Sequence, residues 1–346
     1  MRAITTKPGI ADSARLEEVP EPADQPATLL VDAVAIGVCG TDAEILNGDY
    51  GLPPPGHERL IIGHENLGRV REAPAGSGFA PGDLVVGVVR RPDPVPCASC
   101  AAGEWDMCKN GRYTERGISG RDGYASERYR LETAFAVRIP PALGDLAVLV
   151  EPTTIVAKAW EQIERIGARA FWKPRCALIT GAGPIGLLAA MLGRQRGLDV
   201  HVLDRVSDGP KPELVAALGA TYHTGKVRDL PAPDIVLECT GAGELVFDVL
   251  EVGSPDVVIC LTGVSSGTRD IPINMEALNK RLVLENAVVF GAVNANLRHY
   301  HAAVDALARA DRGWLGRLVS RRVPLDRWRE ALVRGPHDVK PVIVFG

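Results

Sequence analysis

Hydrophobic residues up to about residue 150 alternate with polar residues or form short β-branched runs. Proline and glycine separate these runs, as is usual for turns between strands. The alternation of strands and long helices that marks other folds is missing here. We therefore predict a mainly β domain of barrel type. The predicted strands lie within Ala27–Val38, Leu60–Arg71, Asp83–Val89, Tyr124–Leu131 and Ala134–Ile139.

The pattern changes at about Ile155, where strand-like runs begin to alternate with helical stretches. Such alternation is typical of βαβ units in a parallel, doubly wound sheet, so the predicted fold class is α/β. After Asn294 one more helix and one more strand-like run close the chain. The predicted helices are Thr154–Ile166 and Leu297–Arg309, and the predicted strands are Cys176–Thr180, Asp199–Leu203, Asp234–Cys239, Asp256–Thr262, Leu282–Phe290 and Val339–Phe345.

The first strand of this second region runs into a glycine-rich turn and then into an apolar run with helical spacing. In that turn Gly181 is suited to a tight bend, Gly183 to close approach of a pyrophosphate, and Gly186 to close packing of helix on strand. The helix N-terminus adds N–H groups and partial positive charge for phosphates. Asp204, at the end of the next strand, is placed to bond the ribose hydroxyls of NAD. The sequence therefore predicts a dinucleotide site.

Length, charge and cysteine use narrow the function classes. A chain of 346 residues suggests two domains. Its net charge of −4 and the lack of a long basic run argue against a nucleic-acid-binding protein. The N-terminus has no apolar signal segment, and the glycines within the uncharged run Cys176–Gly193 favour a buried βα unit over a membrane span. Seven cysteines in such a chain indicate reduced thiols or metal ligands. We expect a cytoplasmic protein without nucleic-acid or membrane partners.

Three segments of the first region carry zinc-binding residue types near predicted strand ends. Thiolate, imidazole and carboxylate are the donors of a catalytic zinc, which keeps three protein ligands and one open position. Each residue alone is more often a core thiol or a core histidine, but their combination with a dinucleotide turn favours a zinc site. The segments are Cys39-Gly-Thr-Asp42, Gly63-His64-Glu65 and Glu151-Pro152.

A proline-rich loop carries a second candidate metal site. Cys97, Cys100 and Cys108 lie close together in the sequence and predict a structural zinc lobe. A closed zinc site takes four ligands, and Asp93 is the nearest carboxylate that can complete the set. The alternative is a lobe that has lost its metal and holds free thiols.

Together these motifs resemble the zinc-containing medium-chain dehydrogenase/reductase family along essentially the whole chain. The resemblance implies a GroES-like β-barrel catalytic domain, residues 1–153 with 295–346, and a Rossmann dinucleotide-binding domain, residues 154–294. Further stretches look like the glucose 1-dehydrogenase branch of that family. They are Val89–Pro92, Glu115–Ile118, Asp122–Glu127 and Phe290–Asn296, with His299 just beyond.

The resemblance also implies roles for individual residues. Cys39 and His64 would bind zinc, with Glu65 or Glu151 as the carboxylate ligand and Thr41 as the relay for the substrate proton. The C1 hydroxyl of a sugar would then lose its proton as C1 passes hydride to the nicotinamide, giving a lactone. Residues expected to contact the sugar are Asp42, Glu115 and Asn294.

The expected cofactor is NAD, with NADP as the alternative. The Asp204 carboxylate favours NAD because it repels a 2′-phosphate, whereas Arg205 offsets that repulsion. In the lobe, Pro94 stands where the family has its first cysteine, which puts tight zinc binding in question. The expected cofactor-binding residues are Gly181, Gly183, Pro184, Ile185, Gly186, Asp204, Arg205, Thr240, Thr262 and Asn294.

Two further functions stay open at this point. The same metal ligands serve polyol, secondary-alcohol or cyclitol dehydrogenases, since a fold does not choose its substrate. The third possibility is a dinucleotide-binding protein without catalytic activity. The presence of Cys39, His64 and Glu65 together argues against it. Relatives of this kind are homodimers or homotetramers, and the chain itself does not choose between them.

Overall fold

The computed structural model describes residues 1–265, 270–335 and 337–346. The chain divides into two units, Met1–Glu151 with Ala295–Gly346, and Pro152–Asn294. Within the described residues, no helix has both the length and the apolarity needed to cross a bilayer.

Most of the regular elements as far as Ile139 are strands, and turns at glycine and proline separate them. The two α-helices of this part are α1 (Gly40–Asn47) and α2 (Ala98–Ala101). The strands are β1 (Arg2–Thr6), β2 (Arg15–Glu18), β3 (Thr28–Gly37), β4 (Leu60–Ile61), β5 (Glu65–Glu72), β6 (Leu84–Gly87), β7 (Arg90–Arg91), β8 (Thr114–Arg116), β9 (Gly120–Arg121), β10 (Arg128–Glu132) and β11 (Ala136–Ile139).

Strands and helices alternate after this, and the last segment adds further helices and two strands. The middle elements are α3 (Val150–Gly167), β12 (Cys176–Thr180), α4 (Pro184–Gln195), β13 (Asp199–Leu203), α5 (Pro210–Ala217), β14 (Thr221–His223), β15 (Ile235–Glu238), α6 (Gly243–Leu250), β16 (Val258–Leu261), α7 (Met275–Leu284) and β17 (Val288–Gly291). The closing elements are α8 (Leu297–Ala308), α9 (Arg312–Leu318), β18 (Arg321–Pro324), α10 (Arg329–Leu332) and β19 (Pro341–Val344).

The first unit is built on a seven-stranded sheet of order β11-β6-β5-β3-β19-β18, in which β10 also pairs with β3. Its apolar side chains, among them Leu29, Val31 and Leu131, are fully buried, and each contributes about 1.5–3 kcal/mol of transfer free energy. Strand β19 lies antiparallel to β3, with Val342 opposite Gly37. The tail of the chain therefore completes the sheet that begins near the N-terminus.

The second unit is a six-stranded parallel sheet of order β14-β13-β12-β15-β16-β17. The chain starts in the middle with β12, builds outward through β13 and β14, and then returns to add β15 on the other side. In open α/β sheets ligands bind at the carboxyl ends of strands where the order reverses in this way. The carboxyl ends of β12 and β15 are thus where a nucleotide is expected.

One predicted strand, Leu282–Phe290, is wrong in its first half. Leu282–Leu284 form the last turn of α7, and the strand β17 begins only at Val288. The helix is fixed from its other end, where the Asn274 side chain accepts a hydrogen bond from the N–H of Ala277. This cap stabilises the start of the helix, and the apolar residues that follow continue it. A short apolar run alone does not show whether it forms a helix or a strand.

A partly buried ionic network links strands β7, β8, β9 and β10 of the first unit. The Glu132 carboxylate accepts hydrogen bonds from Arg91 at 2.7 Å, Arg116 at 3.2 Å and Arg121 at 2.5 Å. Burial alone raises the pKa of Glu132, but the bonds and charges of Arg91 and Arg116 outweigh it and hold that pKa well below its usual range. The ionised carboxylate therefore stabilises the folded state.

We expect Glu132→Gln to lower the free energy of unfolding by about 2–3 kcal/mol near neutral pH, because two buried guanidinium groups lose their anion. The folded pKa is depressed, so this stabilisation is complete above the unfolded pKa of about 4.3 and is lost as the pH falls further. Urea unfolding of both proteins at about pH 7 and about pH 3 measures it. A difference between the two proteins that does not shrink in acid contradicts this account.

Candidate metal and cofactor sites

The first candidate metal ligand, Cys39, stands between a strand and a helix. Strand β3 ends at Gly37 and helix α1 begins at Gly40, so Cys39 is the N-cap residue of that helix. Its backbone N–H donates to Oδ2 of Asp42 at 2.8 Å. A carboxylate in the first turn is favourable at a helix N-terminus and fixes the direction of the chain there. The thiol is thereby held at the edge of the sheet.

His64 and Glu65 are placed by the strand that pairs with β3. Gly63 adopts a φ of +87°, a conformation that favours glycine, and Glu65 is then the first residue of β5, opposite Gly37. A Cβ at Gly37 would lie 2.1 Å from Oε2 of Glu65, so only glycine leaves room for this carboxylate. The ligand atoms of Cys39, His64 and Glu65 all lie within 4.8 Å of one another. One thiol, one imidazole and one carboxylate, largely buried, form the donor set of a catalytic zinc.

Asp42 lies beside the candidate metal ligand His64. Its Oδ1 lies 3.4 Å from Nδ1 of His64, and the residue is 2% exposed. Burial lowers the pKa of His64, yet the charges and bonds of Asp42 and Cys39 raise it well above its ordinary value. A carboxylate beside a ligating imidazole fixes the orientation of the ring. Asp42 therefore contacts a candidate metal ligand, and its predicted contact with a sugar stays a prediction.

A residue that the sequence did not reveal lies against Glu65. The Lys340 ammonium is 2.6 Å and 2.7 Å from the two carboxylate oxygens of Glu65, and it also donates to the carbonyl of Val38 at 3.1 Å. Burial lowers the pKa of Lys340, whereas Glu65 and Cys39 raise it, and the net shift is upward. Lys340 therefore supplies a buried positive charge at the candidate metal site, 275 positions along the chain from Glu65.

Glu151 and Thr41 lie at the border of this cluster. Burial, together with the charge of Glu65 and against that of His64, raises the pKa of Glu151 to about 7. The carboxylate of Glu65, and not that of Glu151, lies within 4.8 Å of the other ligand atoms. Thr41 is half-buried on the first turn of α1, beside Asp42.

The other predicted sugar contacts have different surroundings. Glu115 is buried, and its Oε1 accepts hydrogen bonds from Nε and Nη2 of Arg90 at 3.2 Å and 3.1 Å. This oxygen of Glu115 is thus paired with Arg90, and the contact of Glu115 with a sugar stays a prediction. Asn294 has a φ of +63°, a conformation that few residues other than glycine adopt, and it ends the second unit.

The cysteine lobe brings three thiols together and leaves out Asp93. The sulfur atoms of Cys97, Cys100 and Cys108 lie within 4.8 Å of one another. The Asp93 carboxylate instead accepts from the N–H of Val95 at 2.8 Å and from the side-chain amide of Asn110 at 2.9 Å. Asp93 thus caps the loop and lies outside the cluster of thiols, and its role as a fourth zinc ligand stays a prediction.

The glycine turn of the second unit has the shape that a dinucleotide requires. Gly181 adopts a φ of +88°, and a Cβ at Gly186 would lie 1.7 Å from the carbonyl oxygen of Gly181. At Gly183, the N-cap of α4, an added Cβ would meet no atom within 4 Å, so the space in front of the helix N-terminus is open. Pro184 is the first residue of α4, where its missing N–H costs nothing, and Ile185 follows it. These residues fit a bound pyrophosphate.

An added methyl group is expected to have different effects at Gly183 and at Gly186. Gly183→Ala should unfold like the wild-type protein but bind NADH at least about tenfold more weakly, because its Cβ enters the space for the phosphates. Gly186→Ala should lose about 1–3 kcal/mol of stability, because the methyl group meets the Gly181 carbonyl. Thermal unfolding and fluorescence titration with NADH measure both variants. Equal effects of the two substitutions on stability would contradict the structure.

Glu238 organises the neighbouring strand end and was not predicted. It is fully buried, and its carboxylate accepts hydrogen bonds from Thr180 at 3.2 Å, from the N–H of Thr240 at 2.7 Å and from the N–H of Gly241 at 3.1 Å. Thr262 donates to its backbone carbonyl at 2.8 Å. The predicted cofactor residues Thr240 and Thr262 therefore lie together beside the glycine turn, at the carboxyl ends of the central strands.

Comparisons with known proteins agree with this geometry. Residues 25–141 match the family described as alcohol dehydrogenase GroES-like domain, and residues 144–345 match glucose dehydrogenase C-terminus. The chain belongs to the zinc-containing medium-chain dehydrogenase/reductase family. This confirms the α/β fold class with a GroES-like domain and a Rossmann domain.

Relatives within this family are similar over nearly their whole length. The chain is 39% identical to a glucose 1-dehydrogenase of Methanocella arvoryzae, covering 100% of both chains, and 40% identical to one of Thermoproteus tenax, covering 99% of both. Among solved structures, a glucose dehydrogenase of Haloferax mediterranei in complex with NADP, Zn and gluconolactone superposes with a TM-score of 0.91. That structure is 30% identical, and the match covers 100% of this chain and 99% of the other. These similarities confirm the glucose dehydrogenase branch of the medium-chain dehydrogenase/reductase family.

Proposed function

We propose that this protein is a zinc-dependent aldose 1-dehydrogenase that passes hydride from C1 of a glucose-like sugar to NAD or NADP and forms a lactone. The observation that carries the proposal is the convergence of Cys39, His64 and Glu65 within 4.8 Å in a largely buried site. The glucose 1-dehydrogenase relatives supply the substrate class.

Each residue has a definite task in this proposal. Cys39, His64 and Glu65 would hold a zinc ion, which would supply a Lewis acid to lower the pKa of the substrate hydroxyl. Thr41 carries the released proton away, and Asp42 keeps the His64 ring in its ligating orientation. Glu151, whose pKa lies at about 7, is a proton acceptor near neutral pH or an additional polar contact for the sugar.

A panel of substrates tests the proposal. Purified protein is supplied with NAD or NADP and with aldoses, polyols, cyclitols or simple secondary alcohols, and the absorbance of reduced cofactor is followed. We expect turnover with aldoses and a lactone as product. Turnover confined to polyols, cyclitols or secondary alcohols would replace the proposed substrate. If the protein contains no zinc, binds cofactor and turns over none of the substrates, the result would favour a dinucleotide-binding protein without catalysis.

The compartment and assembly state complete the proposal. A cytoplasmic location is proposed because none of the seven cysteines forms a disulfide in the described part of the chain. The protein is proposed to act as a homodimer or homotetramer, and light scattering of the purified protein distinguishes the two.

A further inference from the structure

The Asp204 carboxylate, predicted to select NAD, is largely occupied by the protein itself. Its Oδ2 accepts from the N–H of Ala182 at 2.6 Å, and its Oδ1 accepts from the N–H of Val206 at 3.0 Å. A third donor, the Lys211 ammonium, lies 3.0 Å from Oδ2. An ionised carboxylate has about four acceptor positions, so three donors leave about one for a ribose hydroxyl.

This arrangement changes the charge at the ribose position. Asp204 ends the strand after the glycine turn, where a carboxylate meets the adenosine ribose in proteins of this fold. Its negative charge is paired with Lys211, whose side chain is 18% exposed, and Arg205 beside it is exposed. Asp208 in the same segment is exposed and offsets part of this positive charge. A 2′-phosphate placed here therefore meets two cations and a carboxylate that is already neutralised.

We propose that Lys211 is a specificity-determining residue that lets this site accept NADP as well as NAD. With NAD, Lys211 stays on Asp204, and the remaining carboxylate position accepts a ribose hydroxyl. With NADP, the Lys211 ammonium bonds the 2′-phosphate, and the N–H groups of Ala182 and Val206 continue to hold the carboxylate. Lys211 stands at the second position of α5, where the helix N-terminus adds partial positive charge.

This inference rests on the proposed function in one respect, that the second unit binds a nicotinamide dinucleotide. The experiment measures equilibrium binding of NADPH and NADH by fluorescence, so that it does not depend on turnover or on zinc. Wild-type protein should bind both. Failure to bind either would overturn the proposed dinucleotide site itself, and binding of NADH alone would overturn the role of Lys211.

Lys211→Gln is the decisive variant. Loss of one charge-assisted bond to phosphate should weaken NADPH about 10- to 100-fold, while NADH stays within about threefold. Lys211→Arg should retain NADPH binding, because a guanidinium also bonds phosphate. Lys280→Gln, which changes an exposed lysine of α7, is the matched control and should alter neither affinity.

The same binding measurement distinguishes a direct contact of Lys211 with the 2′-phosphate from a purely structural role of Lys211. If Lys211→Gln weakens NADH and NADPH equally, Lys211 only holds Asp204 in place and the inference is wrong. If NADPH binding is unchanged, the ammonium does not reach the phosphate. Asp204→Ala tests the other half of the pair: the preference should move toward NADPH while both affinities fall, because the N–H of Ala182 in the glycine turn loses its acceptor.

Discussion

Replacing Cys39 with serine or His64 with alanine is expected to reduce turnover at least about a thousandfold, because the Lewis acid contributes several kcal/mol to the transition state. Binding of NADH should change by less than about threefold, since both residues belong to the first unit and the glycine turn belongs to the second. Zinc content by mass spectrometry of the metal and kcat with glucose measure the first effect. Fluorescence titration measures the second.

A cysteine outside the candidate metal sites provides the control for these variants. Cys176 is half-buried at the start of β12 and belongs to neither three-residue cluster of candidate ligands. Cys176→Ser should retain zinc and activity within about threefold, because it removes no ligand. If Cys39→Ser or His64→Ala kept a near-normal kcat after its zinc was removed, the metal mechanism would be wrong.

Replacing Lys340 with methionine is expected to cost about 3–5 kcal/mol of unfolding free energy in the metal-free protein, because it leaves the Glu65 carboxylate buried without a cation. Glu65 and Lys340 are 1% and 2% exposed, so water cannot replace the lost partner. Zinc should restore more stability to this variant than to the wild-type protein, since a bound cation takes the place of the ammonium. Urea unfolding with chelator and with zinc measures both quantities.

The double variant Glu65→Gln/Lys340→Met tests whether the unpaired Glu65 carboxylate causes the loss of stability. If the ion pair is the cause, the double variant should be more stable than Lys340→Met alone, because no unpaired carboxylate remains. Lys340→Arg, which keeps the charge, should lose less stability than Lys340→Met. A metal-free Lys340→Met protein as stable as the wild type would show that Glu65 does not depend on this lysine.

Local features of the second unit could be predicted from the sequence because they depend on neighbouring residues. The strand Cys176–Thr180, the turn at Gly181 and the helix from Pro184 follow one another directly, and the structure confirms each of them. The turn needs glycine for steric reasons that act within six residues. The start of the strand β17 could not be predicted, because the cap at Asn274 decides where the preceding helix lies.

Contacts between distant residues could be predicted only in part. Cys39 and His64 with a carboxylate from Glu65 or Glu151 were expected from residue types and family resemblance, and the structure brings the ligand atoms of Cys39, His64 and Glu65 together. The bonds of Asp93 to Val95 and Asn110 could not be predicted, because nothing in the spacing of the lobe shows them. The predicted NAD preference weighed Asp204 against Arg205 and took no account of Lys211.

The sequence by itself determined the two-region architecture, the dinucleotide turn and the residue types of the metal site, because strand, turn and helix preferences act over a few residues. Only the tertiary structure decided which charges meet. Lys340 reaches Glu65 because β19 pairs with β3, and that pairing joins segments about 300 residues apart whose approach no local pattern records. Burial then makes the resulting ion pair strong, since the carboxylate and the ammonium share a site from which water is excluded.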